Sequence, residues 1–151
     1  MLSLLVELIT FICAIELKSR QAWAKRIKSL SSKQARIFLE EILREISYPI
    51  HTIQTDNGSE FKKYFDQAIN NLKDTEHIWS FPRNPKANGY VERFNWTVQD
   101  EFINYEIDLA ENYPQEFDCK LEKWLEFYNN IRPHQSLDYK TPQQAVQLLT
   151  S

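Results

Sequence analysis

Ile53-Gln54-Thr55-Asp56-Asn57-Gly58-Ser59-Glu60-Phe61 and, further on, Asn88-Gly89-Tyr90-Val91-Glu92-Arg93-Phe94 are the stretches whose reading decides the fold. In the first, Ile50 to Thr55 predicts a strand, and Asn57-Gly58 predicts a sharp turn that leaves Asp56 just past the strand end. In the second, Val91, Phe94, Val98, Phe102 and Tyr105 recur at helical spacing, predicting a helix from about Ala87 to Glu106 with that stripe inward. Glu92, Asn95, Trp96 and Gln99 then share a different face. One acid therefore stands at a strand end and the other on a helix, with the 35 residues 57 to 91 between them.

Working outward, Leu4-Leu5-Val6 and Phe11 to Ile15 read as two apolar runs, an antiparallel strand pair. Ser31 or Ser32 can cap a helix that buries Ala35, Phe38, Leu39, Ile42, Leu43 and Ile46, and Pro49 ends it. Tyr64, Phe65, Ala68, Ile69 and Leu72 mark a second helix, and His77 to Phe81 a further strand before a loop held by Pro82 and Pro85. Phe117, Leu121, Trp124, Leu125 and Tyr128 define another helix. The last helix opens on Thr141, Pro142 and Gln144, a capping-box pattern. Strands interleaved with helices predict one α/β domain with a helical tail.

Composition agrees with a single globular domain of 151 residues, 42% hydrophobic and 26% charged. A formal charge of −3 argues against a general charge-driven DNA coat. Seven basic residues and no acid lie between Lys18 and Arg36, whereas nine acids face two lysines from Asp100 to Glu126. This asymmetry is compatible with one nucleic-acid-facing side or simply with a solvated helix face. Cys13 and Cys119 sit in no metal or redox spacing and read as two buried thiols, which suits a cytoplasmic protein. Met1 to Ile15 is too short to span a bilayer and lacks the layout of a signal peptide, so no membrane association is expected. Gly58 and Gly89 are the two glycines, one in each acidic stretch. That placement predicts a backbone angle or close approach forbidden to a side chain at both.

Two acids on separate rigid elements suit phosphodiester chemistry. Two divalent ions about 3.5–4 Å apart can stabilise both the attacking and the leaving oxygen of an in-line displacement. Mg²⁺ is held by a few carboxylates plus water and phosphate. Taken singly, Asp56 also reads as a turn aspartate and Glu92 as an acid favoured near a helix start.

Thr55 to Phe61 resembles the second-acid motif of the retroviral-integrase-like (DDE) transposases, and Pro85 to Phe94 their third-acid motif. Tyr128-Asn129-Asn130-Ile131-Arg132-Pro133-His134-Gln135-Ser136-Leu137, followed by Thr141-Pro142, is similar to the segment that closes this domain in bacterial insertion-sequence transposases. The likeness covers roughly Phe11 to Ala145. It implies an RNase H-like mixed sheet flanked by helices, Mg²⁺ or Mn²⁺ dependence, and DNA cleavage and strand transfer. Residues 1–151 would then be a partial integrase catalytic core, of which 107–151 form a helical C-terminal extension. By the same resemblance Asp56 and Glu92 are catalytic metal ligands, and Lys86, Arg93, Trp96 and Gln99 lie near the DNA. His134 belongs to the matching segment but reads as structural.

The family needs a third acid, on a first, central strand. Met1 to Thr55 contains no aspartate, and Glu7, within Val6-Glu7-Leu8-Ile9-Thr10, falls on the wrong strand to substitute. The alignment places that first strand upstream of Met1, so an N-terminally truncated core, inactive alone, is expected. Losing one transition-state charge stabiliser costs on the order of 10²–10³ in rate. Unpaired sheet edges would favour self-association or pairing with a full-length transposase. Tyr90 and Trp96 stand where relatives often carry basic residues, which weakens phosphate binding while leaving base stacking. A catalytically dead DNA-binding or interaction module and an RNase H-like nuclease are the rival readings.

Overall fold

The computed structural model describes residues 10–80 and 85–151, the side chains of 85–88 excepted. Two compact units are present: Ile27–Gly89, and Tyr90–Ser151 with the described part of Met1–Arg26.

In the first unit, helix α1 (Ser32–Glu45) starts at Ser31, whose side chain accepts from the Gln34 N–H. It stops at Ile46, three residues short of Pro49, and buries Ala35, Phe38, Leu39 and Ile42. That face packs against the turn Ser59–Phe61 and helix α2 (Tyr64–Asn70), which contributes Phe65 and Ile69. Strand β3 (Thr52–Thr55) pairs in parallel with β4 (Glu76–Trp79), Thr55 opposite Trp79. Parallel neighbours need a long crossover connection, supplied here by the turn and α2.

In the second unit, β1 (Thr10–Ile15) pairs with β2 (Ala22–Ile27). Their connection is too short for a parallel crossover, which fixes the pair as antiparallel. The Glu16 carboxylate organises that turn by accepting from the Lys18 and Ser19 N–H groups and the Ser19 hydroxyl. Helices α3 (Pro85–Glu101), α4 (Ile107–Asn112), α5 (Pro114–Asn130) and α6 (Pro142–Thr150) follow. The core gathers Ala22 and Ala24 with Phe94, Val98, Phe102, Phe117, Leu121 and Tyr128. Burying a side chain such as Phe94, 1% exposed, stabilises the fold by about 1.5–3 kcal/mol.

The expected partner of Phe11–Ile15, Leu4-Leu5-Val6, lies outside the described residues; β1 pairs with β2, which lies inside the basic run. Several other expectations are corrected. The run is therefore no single helix face: Lys25 and Arg26 belong to β2, and Lys33 and Arg36 to α1. Part of its charge is neutralised internally, with Arg26 donating twice to Asp118 (2.8 and 2.6 Å) and Arg36 to Glu40. The helix through Glu92 ends at Glu101, so Tyr105, in the tight turn Ile103–Tyr105, is 81% exposed rather than inward. Cys119 is exposed, while Cys13 is half-buried on β1 and burial pushes its thiol pKa up.

Candidate active site

Asp56 follows directly on β3. Its Oδ1 accepts from the Gly58 N–H at 2.8 Å, which closes a side-chain turn and leaves an exposed carboxylate at the strand end. Gly58 itself has φ −57° and ψ 145°, angles open to any residue. An added Cβ there would meet the Glu60 carboxylate at 2.5 Å, the far end of a flexible side chain, and at Gly89 it would meet nothing within 4 Å. Neither glycine thus shows the constraint expected of it. The left-handed angles fall instead on Arg20, Lys63, Asp74, Asp138 and Tyr139.

Behind Asp56 lies a partly buried polar chain that sequence reasoning missed. The Thr55 hydroxyl is 2.8 Å from His77 Nε2, and His77 Nδ1 is 2.9 Å from Asp66 Oδ1. The same hydroxyl is 3.0 Å from the Asp56 carbonyl oxygen. Phe65 and Trp79 contact the imidazole, their ring centroids 5.7 and 4.1 Å from its own. Along β4, Glu76 and Ile78 are exposed while His77 and Trp79 turn inward. A polar residue at an inward strand position was the available signal.

Glu92 lies on α3 in the other unit. It is exposed, as are Arg93 and Trp96, the latter at 52%, whereas Gln99 and Asn95 are half-buried. Asn95 Oδ1 lies 4.0 Å from the Cys13 thiol. Phe94 and Val98 are fully buried on the opposite stripe, so the helix separates a polar from an apolar face as its spacing requires. The Lys86 side chain lies outside the described residues. Arg20 stacks its guanidinium on Tyr90, 3.8 Å from the ring centre, placing a cation beside the aromatic at that position.

Asp56 and Glu92 each present an exposed carboxylate, and one or two carboxylates completed by water and phosphate are what Mg²⁺ takes from a protein. The donor chemistry fits a hard divalent cation. Among the described residues no group of three or more His, Cys, Asp or Glu could by itself hold a metal ion.

The closing segment is structural where it touches the core. Tyr128 is buried against Phe94 and His134, and His134 Nε2 is 3.1 Å from the Tyr128 carbonyl. Burial holds the His134 pKa below its usual value. Asn129 accepts from the Ala22 N–H at 3.0 Å and donates to the Ala22 carbonyl at 2.8 Å. Arg132 pairs with Glu101 at 2.5 Å.

Residues 73–142 match the family model of the integrase core domain, a stretch that includes Glu92, Arg93, Trp96, Gln99 and the Tyr128–Leu137 segment but not Asp56. The fold superposes on the catalytic core domain of BIV integrase with a TM-score of 0.73 at 20% identity, covering 94% of this chain and 88% of that one. Over residues 73–142 the chain is similar to an integrase core domain. A chain of the simian T-cell lymphotropic virus intasome is similar to it as well, with a TM-score of 0.76 at 24% identity over 91% of this chain and 48% of that one. The fold is thus mixed α/β and helix-rich with small sheets, resembling the RNase H-like retroviral integrase cores. Among proteins of known sequence, an uncharacterized protein of insertion element IS476 from Xanthomonas euvesicatoria is 36% identical over 99 residues, 64% of this chain and 27% of that protein. The transposase for insertion sequence element IS904 of Lactococcus lactis is 30% identical over 106 residues, 70% of this chain and 41% of that protein. The chain therefore spans less than half the length of these relatives. No helix among the described residues is long and apolar enough to cross a membrane.

Proposed function

We propose that this integrase core serves DNA integration or transposition by metal-dependent cleavage and strand transfer. The observation that carries the reading is the integrase-core match over residues 73–142, which contains Glu92 on the exposed face of α3. The exposed Asp56 carboxylate at the end of β3 supports it. In this proposal Asp56 and Glu92 are the catalytic metal ligands. Lys86, Arg93, Trp96 and Gln99 face the DNA, with Trp96 offering a stacking surface for a base. A bound Mg²⁺ or Mn²⁺ would supply charge stabilisation at the attacking and leaving oxygens. The chain's own part is to present the Asp56 carboxylate at the end of β3 and the Glu92 carboxylate on α3, and to orient the DNA through the α3 face.

The isolated chain is proposed to bind DNA without joining it, because the resemblance calls for three acids and residues 1–55 contain no aspartate to join Asp56 and Glu92. It is further proposed to reach activity only with a full-length transposase or a second copy. The test combines DNA binding at low salt with strand transfer from a donor duplex in Mn²⁺. Binding that weakens on Arg93→Ala, without joining, is the expected result. Robust joining abolished by Asp56→Asn would overturn the claim of inactivity, and failure to bind any duplex at low salt would overturn the DNA role.

A further inference from the structure

We propose that Asp66, His77 and Thr55 form a hydrogen-bonded chain, buried at His77 and Thr55, that sets the orientation of Asp56 as a ligand for a divalent cation, with His77 as a positioning residue. This rests on the assignment of Asp56 as a metal ligand made above. The Asp66 carboxylate and the Asp56 carbonyl only accept, so His77 Nδ1–H donates to Asp66, the Thr55 hydroxyl donates to the carbonyl, and His77 Nε2–H donates to the hydroxyl oxygen. The hydroxyl also reaches the carbonyl of Asp56, so one side chain bridges the imidazole and the peptide that carries the ligand. Asp56 Oδ1 is in turn held by the Gly58 N–H, leaving the remainder of the carboxylate to point outward.

A hydroxyl, an imidazole and a carboxylate in series can also activate a nucleophile. Burial argues against it here: Thr55 is 8% exposed and the His77 side chain 4%, so no substrate reaches the hydroxyl. A role confined to packing is also a poor account. Between Phe65 and Trp79 an apolar side chain would fill the space without two polar atoms to satisfy. The backbone already ties the strand end to its neighbour, the Ser80 N–H donating to the Thr55 carbonyl at 2.7 Å. What the polar chain adds is a directional hold on the Asp56 peptide. Partners of this kind, one bond removed from a ligand, typically change metal affinity by about 10–100-fold when lost.

The test uses the full chain with Thr55→Val, which keeps the side-chain shape, His77→Phe, which keeps the aromatic contacts, and Thr55→Ser, which restores the hydroxyl. Mn²⁺ is titrated while the backbone amide signals of Asp56 and Asn57 are followed by NMR, and urea unfolding is measured in parallel. Thr55→Val and His77→Phe are expected to raise the half-saturating Mn²⁺ concentration by about tenfold or more, and Thr55→Ser to restore it. If one of the first two does not fold, the other carries the comparison. Unchanged Mn²⁺ titration in a folded Thr55→Val or His77→Phe, even with a lower urea midpoint, would overturn the proposal in favour of a purely structural role. If the unaltered chain itself shows no Mn²⁺ effect at Asp56, the ligand assignment fails. The positioning claim is then decided by the Gly58 amide, whose resonance must shift in Thr55→Val and return in Thr55→Ser; no shift overturns it.

Discussion

Replacing Asn129 by alanine tests the tertiary logic of the closing segment directly. The Asn129 carboxamide acts as an extra strand residue, occupying both the N–H and the C=O of Ala22, which is 0% exposed. Asn129→Ala orphans both groups. Each buried backbone group left without a partner costs about 1–3 kcal/mol. Asn129 is only half-buried, so water entering the space brings the sum toward its lower end, about 2–3 kcal/mol. With a denaturant slope of about 2 kcal/mol per molar urea, the midpoint should fall by about 1 M. Trp23, Trp96 and Trp124 lie in the same unit and report the transition by fluorescence. Asn129→Asp keeps the acceptor for the Ala22 N–H but sets a carboxylate oxygen against the Ala22 carbonyl, so it should lose a comparable amount. A midpoint change equivalent to less than about 0.5 kcal/mol, the range of ordinary surface substitutions, would refute the reasoning.

Phe94→Ala should destabilise the same unit by about 3–5 kcal/mol in the same assay, because the ring is enclosed by Tyr128 and Trp124 and leaves a cavity. Thr141→Ala should cost about 1 kcal/mol by removing the cap to the Gln144 N–H, with Thr141→Ser losing much less. Burial lowers the His134 pKa in the folded chain, so the unfolded chain takes up the proton first. The stabilising contribution is therefore present above the ordinary histidine range, about 6.5, and lost as pH falls through it toward the lower folded value. Urea midpoints taken on either side of that range should fall less in His134→Gln than in the unaltered chain. Asp118→Asn should cost less than about 1 kcal/mol, with the loss shrinking at high salt, since the pair it breaks with Arg26 is partly solvent-exposed.

Local signals were the legible ones. Ser31 and Thr141 cap the helices their side chains mark, Pro49 follows a helix end, and Phe94 and Val98 fall on the buried stripe of α3. Each depends on contacts a few residues away, which a periodic pattern records. β2 was missed because Lys25 and Arg26 break its apolar alternation, and the partner that Arg26 finds there, Asp118, lies far along the chain. The glycines misled for a related reason. In a chain with two of them, the left-handed positions went to Asp138 and other residues, and backbone angles at Gly58 stayed ordinary.

The sequence by itself determined five of the six helices, the strand that ends at Asp56, the exposed face carrying Glu92, and the resemblance to integrase cores, because periodicity, caps and ordered motifs are properties of neighbouring residues. The tertiary structure decided what depends on residues distant in the chain. It alone revealed that β2 pairs with β1, that Asn129 completes the bonding of Ala22, and that Asp66, His77 and Thr55 line up behind Asp56. A hydrogen bond between residues 11 or 107 positions apart leaves no period in a sequence. It exists only once the packing of the apolar faces has brought its two ends together.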